Sequence, residues 1–210
     1  MVDILQSSFF CIKRIENTFF NSNTYIISGI NNSVWLVDCG DYYKIKEYIG
    51  IKSISGILLT HSHADHIYGI NELLCDFPSA KIYTNNFGRM ALSEPRFNLT
   101  KYHEEVRDFV IDSVANINVI DEESEFELFP NINVKVLETP GHDASCLSYI
   151  VGEYLFTGDS YIPSVKLTAK FPFSNKIKAK EQYNRLKLLE SDYIICPGHG
   201  NIVDNRLKHY

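Results

Sequence analysis

No two of the five cysteines (Cys11, Cys39, Cys75, Cys146, Cys196) stand at CxxC spacing, and their number is odd. That argues against a paired disulfide framework and against a thiolate zinc cluster. No apolar run approaches the ~20 residues a helix needs to cross a bilayer, so no membrane partner is expected. The opening Met1-Val2-Asp3-Ile4-Leu5-Gln6 has no cationic stretch leading into an apolar one. A secretory signal is therefore not expected, and reduced thiols fit a cytoplasmic protein. Nor is there a basic block: the net charge is -6, and nucleic acid needs a positive stripe to neutralise its phosphates, so no nucleic-acid partner is expected. No short-period repeat, low-complexity tract or Pro/Ser linker divides the chain.

What is present is enough for one sizeable core. The 210 residues are 45% hydrophobic and 13% aromatic, with 13 Tyr and 13 Phe, which predicts a single domain over residues 1–210. β-branched and apolar runs punctuated by Gly, Asn and Pro predict strands at 9–15, 24–28, 33–37, 54–59, 81–84, 116–120, 125–128, 133–138, 147–151, 154–157 and 193–196. The Gly29-Ile30-Asn31-Asn32 stretch reads as a hairpin turn. Helical patterns fall at 41–49, 65–77 and 178–190, the second ended by Pro78, with partial helix in 87–110. The fold class expected is α/β.

Four segments share one grammar, an apolar run ending in Thr, Pro-Gly or Gly and followed by His or Asp. They are Ile57-Leu58-Leu59-Thr60 before His61, Val136 to Gly141 before His142, Tyr154 to Gly158 before Asp159, and Ile194 to Gly198 before His199. Each candidate sits just past a strand, where loops of α/β proteins assemble sites on a rigid frame. In an extended segment side chains at i and i+2 point the same way, so His61 and His63 can grip one ion. Asp65 and His66 follow at the start of a helix and can face a second. Taken singly, Asp65 reads as a helix N-cap and His142, Asp159 and His199 as turn residues. Taken together, five of the seven histidines fall in strand-end loops, three of them within six residues. Imidazoles with carboxylates suit zinc, and also iron, manganese or cobalt. His103 and His209 lack this context and read as surface residues, and Cys146 as a small buried hydrophobe.

These residues resemble a known family, the metallo-β-lactamase fold hydrolases, through HxHxDH at His61 to His66, TPGH at Thr139 to His142, TGD at Thr157 to Asp159 and PGHG at Pro197 to Gly200. The resemblance extends to Asn23-Thr24-Tyr25-Ile26-Ile27 and Val37-Asp38-Cys39-Gly40. It implies an αβ/βα four-layer sandwich, two mixed β-sheets with helices on the outer faces. It also implies that His61, His63 and His142 hold one metal, that Asp65, His66 and His199 hold another, and that Asp159 bridges them, with two Zn2+ per chain and Fe or Mn as alternatives.

Within the family the chain looks most like the glyoxalase II branch, which hydrolyses thioesters. The HxHADH run is also like that of persulfide dioxygenases, which use a single iron, and a lactonase or phosphodiesterase of the same fold is a further alternative. Two departures stand out. With ten residues after Gly200, a counterpart of the C-terminal helical domain of full-length glyoxalase II is not expected, and the chain carries Ser160-Tyr161-Ile162-Pro163-Ser164-Val165-Lys166 where many short relatives have Gly-Arg-Thr-Asp after the bridging Asp.

The expected chemistry follows from two divalent ions, which lower the pKa of a shared water toward ~7 and polarise an acyl oxygen. Asp65 and Asp159 are the expected catalytic carboxylates, and the substrate is a small molecule. Lys166, Lys170 and Lys176 read as solvated lysines that can also meet an anionic tail, and Phe19 and Phe20 as either core or an apolar lid.

Overall fold

The computed structural model describes residues 4–6, 9–29, 32–112, 115–120, 123–163 and 165–206. Seven strands form one sheet in sequence order: β1 (Ile4–Gln6), β2 (Cys11–Glu16), β3 (Asn23–Ser28), β4 (Ser33–Val37), β5 (Ser53–Leu58), β6 (Lys81–Thr84) and β7 (Asn116–Val119). The first four pair antiparallel and the rest parallel. Parallel neighbours need crossovers, which α1 (Tyr42–Ile49), the pair α2 (Ala64–Ile67) and α3 (Ile70–Asp76), and α4 (Asn86–Ala91) help to supply. The second sheet holds β8 (Glu125–Phe129), β9 (Ile132–Glu138), β10 (Leu147–Val151), β11 (Tyr154–Gly158) and β12 (Ile194–Pro197) in the order β12-β11-β10-β9-β8. Its single parallel pair, β11 with β12, is bridged by α5 (Lys176–Leu188).

The strand period of two sorts the apolar residues between layers. Tyr25, Ile27, Trp35 and Val37 point inward to meet Val134, Val136, Tyr149 and Phe156 from the other sheet. Their alternates Ile26, Val34 and Leu36 point outward against Tyr42, Ile45 and Leu73 of α1 and α3. On the far side Leu137, Leu155 and Ile195 pack on Leu186 of α5. Helices therefore cover the outer faces of two mixed sheets, the four-layer arrangement expected, and strands buried on both faces read as continuous apolar runs for that reason. Among the described residues no helix is long and apolar enough to cross a membrane.

Three differences from the sequence reading matter. The helix expected over 65–77 is two helices, α2 and α3, because Gly69 packs on the end of β4. A Cβ there would lie 2.1 Å from the Gly40 carbonyl oxygen, and Gly69 N donates to Cys39 O while Cys39 N donates to His66 O. The edge strand β1 was not expected. His103 is half-buried rather than a surface residue, its ring set edge-on to Phe19 and Phe20. Ile30 and Asn31 of the expected turn, Ser164 and His209 lie outside the described residues.

The two sheets are tied at one end. Leu147 N donates to Thr60 O at 2.7 Å, Asn23 N donates to Gly198 O at 2.7 Å, and Tyr149 Oη donates to Leu59 O at 2.7 Å. That end carries the loops after β5, β9, β11 and β12.

Candidate metal centre

The seven donors picked out by the sequence all arrive at this end. His61, His63 and His142 converge as one group, Asp65, His66 and His199 as another, and His61 and His66 join Asp159 in a third. Within each group the ligating atoms lie within 4.8 Å of one another. Asp159 stands between the halves: one oxygen is 3.5 Å from His142 Nε2 and 3.4 Å from His199 Nε2, the other 3.7 Å from His66 Nε2. Asp65 Oδ2 lies 3.2 Å from His199 Nε2 and 3.4 Å from His66 Nε2.

What surrounds the donors decides which ring nitrogen faces inward. Thr60 Oγ1 is 3.1 Å from His61 Nδ1, Asp38 Oδ2 is 2.8 Å from His66 Nδ1, Thr168 O is 2.9 Å from His142 Nδ1 and Phe20 O is 3.1 Å from His199 Nδ1. Carbonyl and carboxylate oxygens only accept, and the Thr60 hydroxyl already donates to Asp38 Oδ2, so these Nδ1 atoms carry a proton and Nε2 is the atom left to face a metal. His63 is reversed: its Nε2 faces Asp143 Oδ2 at 3.7 Å and its Nδ1 faces His142 Nε2 at 3.1 Å. Outer partners that fix the tautomer in this way are what metal-ligating histidines use.

The donors fit divalent metal on their own terms. His61 Nε2, His66 Nε2 and Asp159 Oδ1 are buried without any hydrogen-bond partner, an arrangement costing about 1–3 kcal/mol per group unless something binds there. Burial, then the His66 and His63 rings beside it, hold the His61 pKa well below the ordinary value, and burial lowers that of His142, so both are neutral as ligands must be. Burial opposes ionisation of Asp159, yet His199, His142 and His66 hold its carboxyl well below the usual range. Burial equally disfavours charge on His66 and His199, but Asp65, Asp38 and Asp159 raise His66 to about 9, and Asp159 and Asp65 raise His199 to about 11. Cations are what this cluster of carboxylates calls for.

Two participants were not singled out from the sequence. Asp38, 1% exposed, accepts from Thr60 N with one oxygen and from Thr60 Oγ1 and His66 Nδ1 with the other. It follows the apolar run Val34 to Val37 at a strand end as the other candidates do, but without the Thr, Pro-Gly or Gly that marked their loops, and it lies in the Val37-Asp38-Cys39-Gly40 stretch of the family resemblance. Asp143, next to His142, receives Ser145 N at 2.8 Å and the Ser145 hydroxyl. Cys146 is buried as expected, its sulfur accepting from Asp143 N, and burial pushes its thiol up, which suits packing rather than chemistry. Lys166, Lys170 and Lys176 are exposed, in keeping with solvated lysines. Phe19 is buried and Phe20 exposed, so the pair is core at one ring and rim at the other.

The site opens at His199, whose side chain is 27% exposed. A groove of about 510 Å³ runs from there between Tyr161, Tyr183, Lys187 and Asn201, room for a small molecule.

A profile of the Metallo-beta-lactamase superfamily matches residues 17–199. The chain belongs to this superfamily. Among curated relatives, "Hydroxyacylglutathione hydrolase" of Actinobacillus pleuropneumoniae serotype 5b is 32% identical over 133 residues, 62% of this chain and 46% of the relative. The enzyme of the same name from Xylella fastidiosa strain 9a5c is 32% identical over 141 residues, 62% of this chain and 45% of the relative. The matched segments thus span under half of these relatives' length. Among solved structures, the BLEG-1 B3 metallo-beta-lactamase superposes with a TM-score of 0.81 at 22% identity, over 91% of this chain and 93% of that one. That likeness establishes the fold. The superfamily uses divalent metals, and the histidine-rich cluster is this chain's candidate place for them.

Proposed function

We propose that this protein, one domain over residues 1–210, is a hydrolase that holds two zinc ions, one on His61, His63 and His142 and one on Asp65, His66 and His199, with Asp159 shared, and cleaves a thioester or related ester of a small molecule. The observation that carries it is the set of buried, unpartnered inward nitrogens, each aimed by a partner on the opposite side of its ring. The relatives' shared name, which describes hydrolysis of an acyl-glutathione, supports the thioester class.

Bound there, two divalent cations supply an acidified water and an electrophile for the acyl oxygen. The chain's residues do the rest. Asp159 keeps the two groups of donors in register. Asp65, held ionised by His66 and His199 against the effect of burial, accepts a hydrogen bond from the attacking water and orients it toward the acyl carbon. A thiolate is weakly basic and leaves without a donated proton, so a thioester suits a site built of ligands alone. The groove beside His199 takes the rest of the substrate.

The test is metal analysis of the purified protein followed by assay against thioesters, lactones and phosphodiesters, with His61→Ala and Asp159→Ala as controls. Two metals per chain and thioester cleavage lost in both variants are expected. Absence of transition metal under every loading, or full activity in both variants, overturns the reading. One iron per chain with oxygen consumed on a persulfide assigns a dioxygenase instead.

A further inference from the structure

The segment between β11 and α5 is fastened to the candidate metal centre by its backbone and by the Ser174 hydroxyl. His142 Nδ1 donates to Thr168 O at 2.9 Å, Ser174 Oγ donates to His142 O at 2.6 Å and Asn175 N donates to Gly141 O at 2.8 Å. Phe171 N closes the turn onto Ser174 Oγ at 3.1 Å. Phe173 is held at a φ of 66°, a left-handed conformation costly for a bulky residue. Its ring packs on Phe87 and Phe97 at centroid distances of 5.0 and 4.8 Å. Strain of this kind persists only where surrounding contacts over-determine it, and it gathers where a segment has a task.

What this anchoring displays is Phe171. Its ring stands edge-on to His63 at 5.1 Å and to His142 at 5.6 Å, yet it is 40% exposed. One part of the ring covers the ligands and the rest faces whatever approaches them. At the other end of the cluster Phe20, 52% exposed, presents its carbonyl to His199 Nδ1 and stacks on Phe19 at 4.2 Å. Apolar rings thus stand beside both ends of a strongly polar donor set.

Resting on the hydrolase reading above, we propose that Phe171 is a specificity-determining residue that seats an apolar acyl group, a medium-length alkyl or arylalkyl chain, beside the reacting carbon. A polar hydroxyacyl group gains little from such a ring, whereas an alkyl chain loses its hydration there. Partial burial of a few methylenes corresponds to about a tenfold gain in affinity.

The experiment uses the zinc-loaded protein and two readouts. Calorimetric binding of lactate, hexanoate and phenylacetate, the product-like acids, is measured first, and kcat/KM for the matching thioesters second. Hexanoate and phenylacetate are expected to bind about tenfold tighter than lactate. Phe171→Ala should bring hexanoate and phenylacetate down to the level of lactate, and Phe171→Leu should restore most of the difference. Lactate bound as tightly as hexanoate by the wild type, or equal losses for both acids in Phe171→Ala, overturns the proposal. If no thioester is cleaved while the preference among acids persists, the hydrolase reading fails alone. If lactoyl thioesters are the best substrates, the specificity proposal fails alone.

Discussion

Asp38→Asn keeps the size of a buried side chain and changes one atom facing His66, which makes it a clean probe of the metal position proposed on Asp65, His66 and His199. The carboxylate accepts from Thr60 N at 2.7 Å with Oδ1, and from Thr60 Oγ1 at 2.7 Å and His66 Nδ1 at 2.8 Å with Oδ2. If the amide oxygen keeps the Thr60 N–H, the new NH2 group meets the Nδ1–H of His66, donor against donor. His66 must then move its proton to Nε2, the atom needed for metal. If the amide flips, a buried backbone N–H loses its acceptor, at about 1–3 kcal/mol. The backbone itself is not disturbed, since Asn tolerates the φ of 61° found at residue 38. Loss of an outer partner of this kind weakens metal binding about 10–100-fold. The loss should fall on the ion proposed for Asp65, His66 and His199 and spare the one proposed for His61, His63 and His142. Competition with a chromophoric chelator reads the two affinities. Two affinities both within about threefold of wild type would refute the argument that Asp38 sets the His66 tautomer.

Asp143→Ala should do the reverse, weakening the ion on His61, His63 and His142, because Asp143 Oδ2 lies 3.7 Å from His63 Nε2; the same competition assay checks it. Gly198→Ala replaces no proposed ligand, yet its Cβ would lie 2.2 Å from Asp159 Oδ1 and 3.0 Å from the His66 ring. Pushing the shared carboxylate aside by about 1 Å to clear that Cβ should lower turnover about 100-fold and drop metal content toward one per chain, and a fully active two-metal variant would contradict it. Metal-free protein should show a melting temperature that depends on pH in two limbs. His66, raised to about 9 in the fold, contributes stability that is complete below its unfolded pKa of about 6.5 and lost as pH rises through about 9. Asp159, held low, contributes stability present above about 4 and lost as pH falls through its folded value. Zinc should reverse the upper limb, because it takes the place of the proton. A melting temperature in chelator that stays flat between pH 6 and 9 would count against these assignments.

Most strands were legible because both faces are covered, so runs such as Tyr25-Ile26-Ile27 and Trp35-Leu36-Val37 carry apolar side chains into two cores at once. The break between α2 and α3 was not, since it depends on the Gly40 carbonyl approaching Gly69 through space. The seven candidate donors were legible because strand ends concentrate them, and the structure brings all seven together. Asp38 also stands at a strand end, but no Thr or Gly precedes it to mark the turn. Thr168 and Phe171 were not legible, because the segment that carries them has no regular structure there, and its register comes from hydrogen bonds to the His142 ring and to the Gly141-His142 backbone.

The donors come from both sheets, with His63 and His142 separated by 79 residues and brought together only when the layers are docked. Metal at this seam would act as a clamp across the sandwich, because pulling the layers apart means surrendering every ion. Bound metal stabilises only the intact arrangement, by an amount that grows with its free concentration. The lifetime of the polypeptide would thereby be tied to metal supply: deprived of its metal, the chain would be lost to proteases faster than it would accumulate in an idle form. Limited proteolysis with and without chelator, read as the half-life of the intact chain, measures that dependence directly.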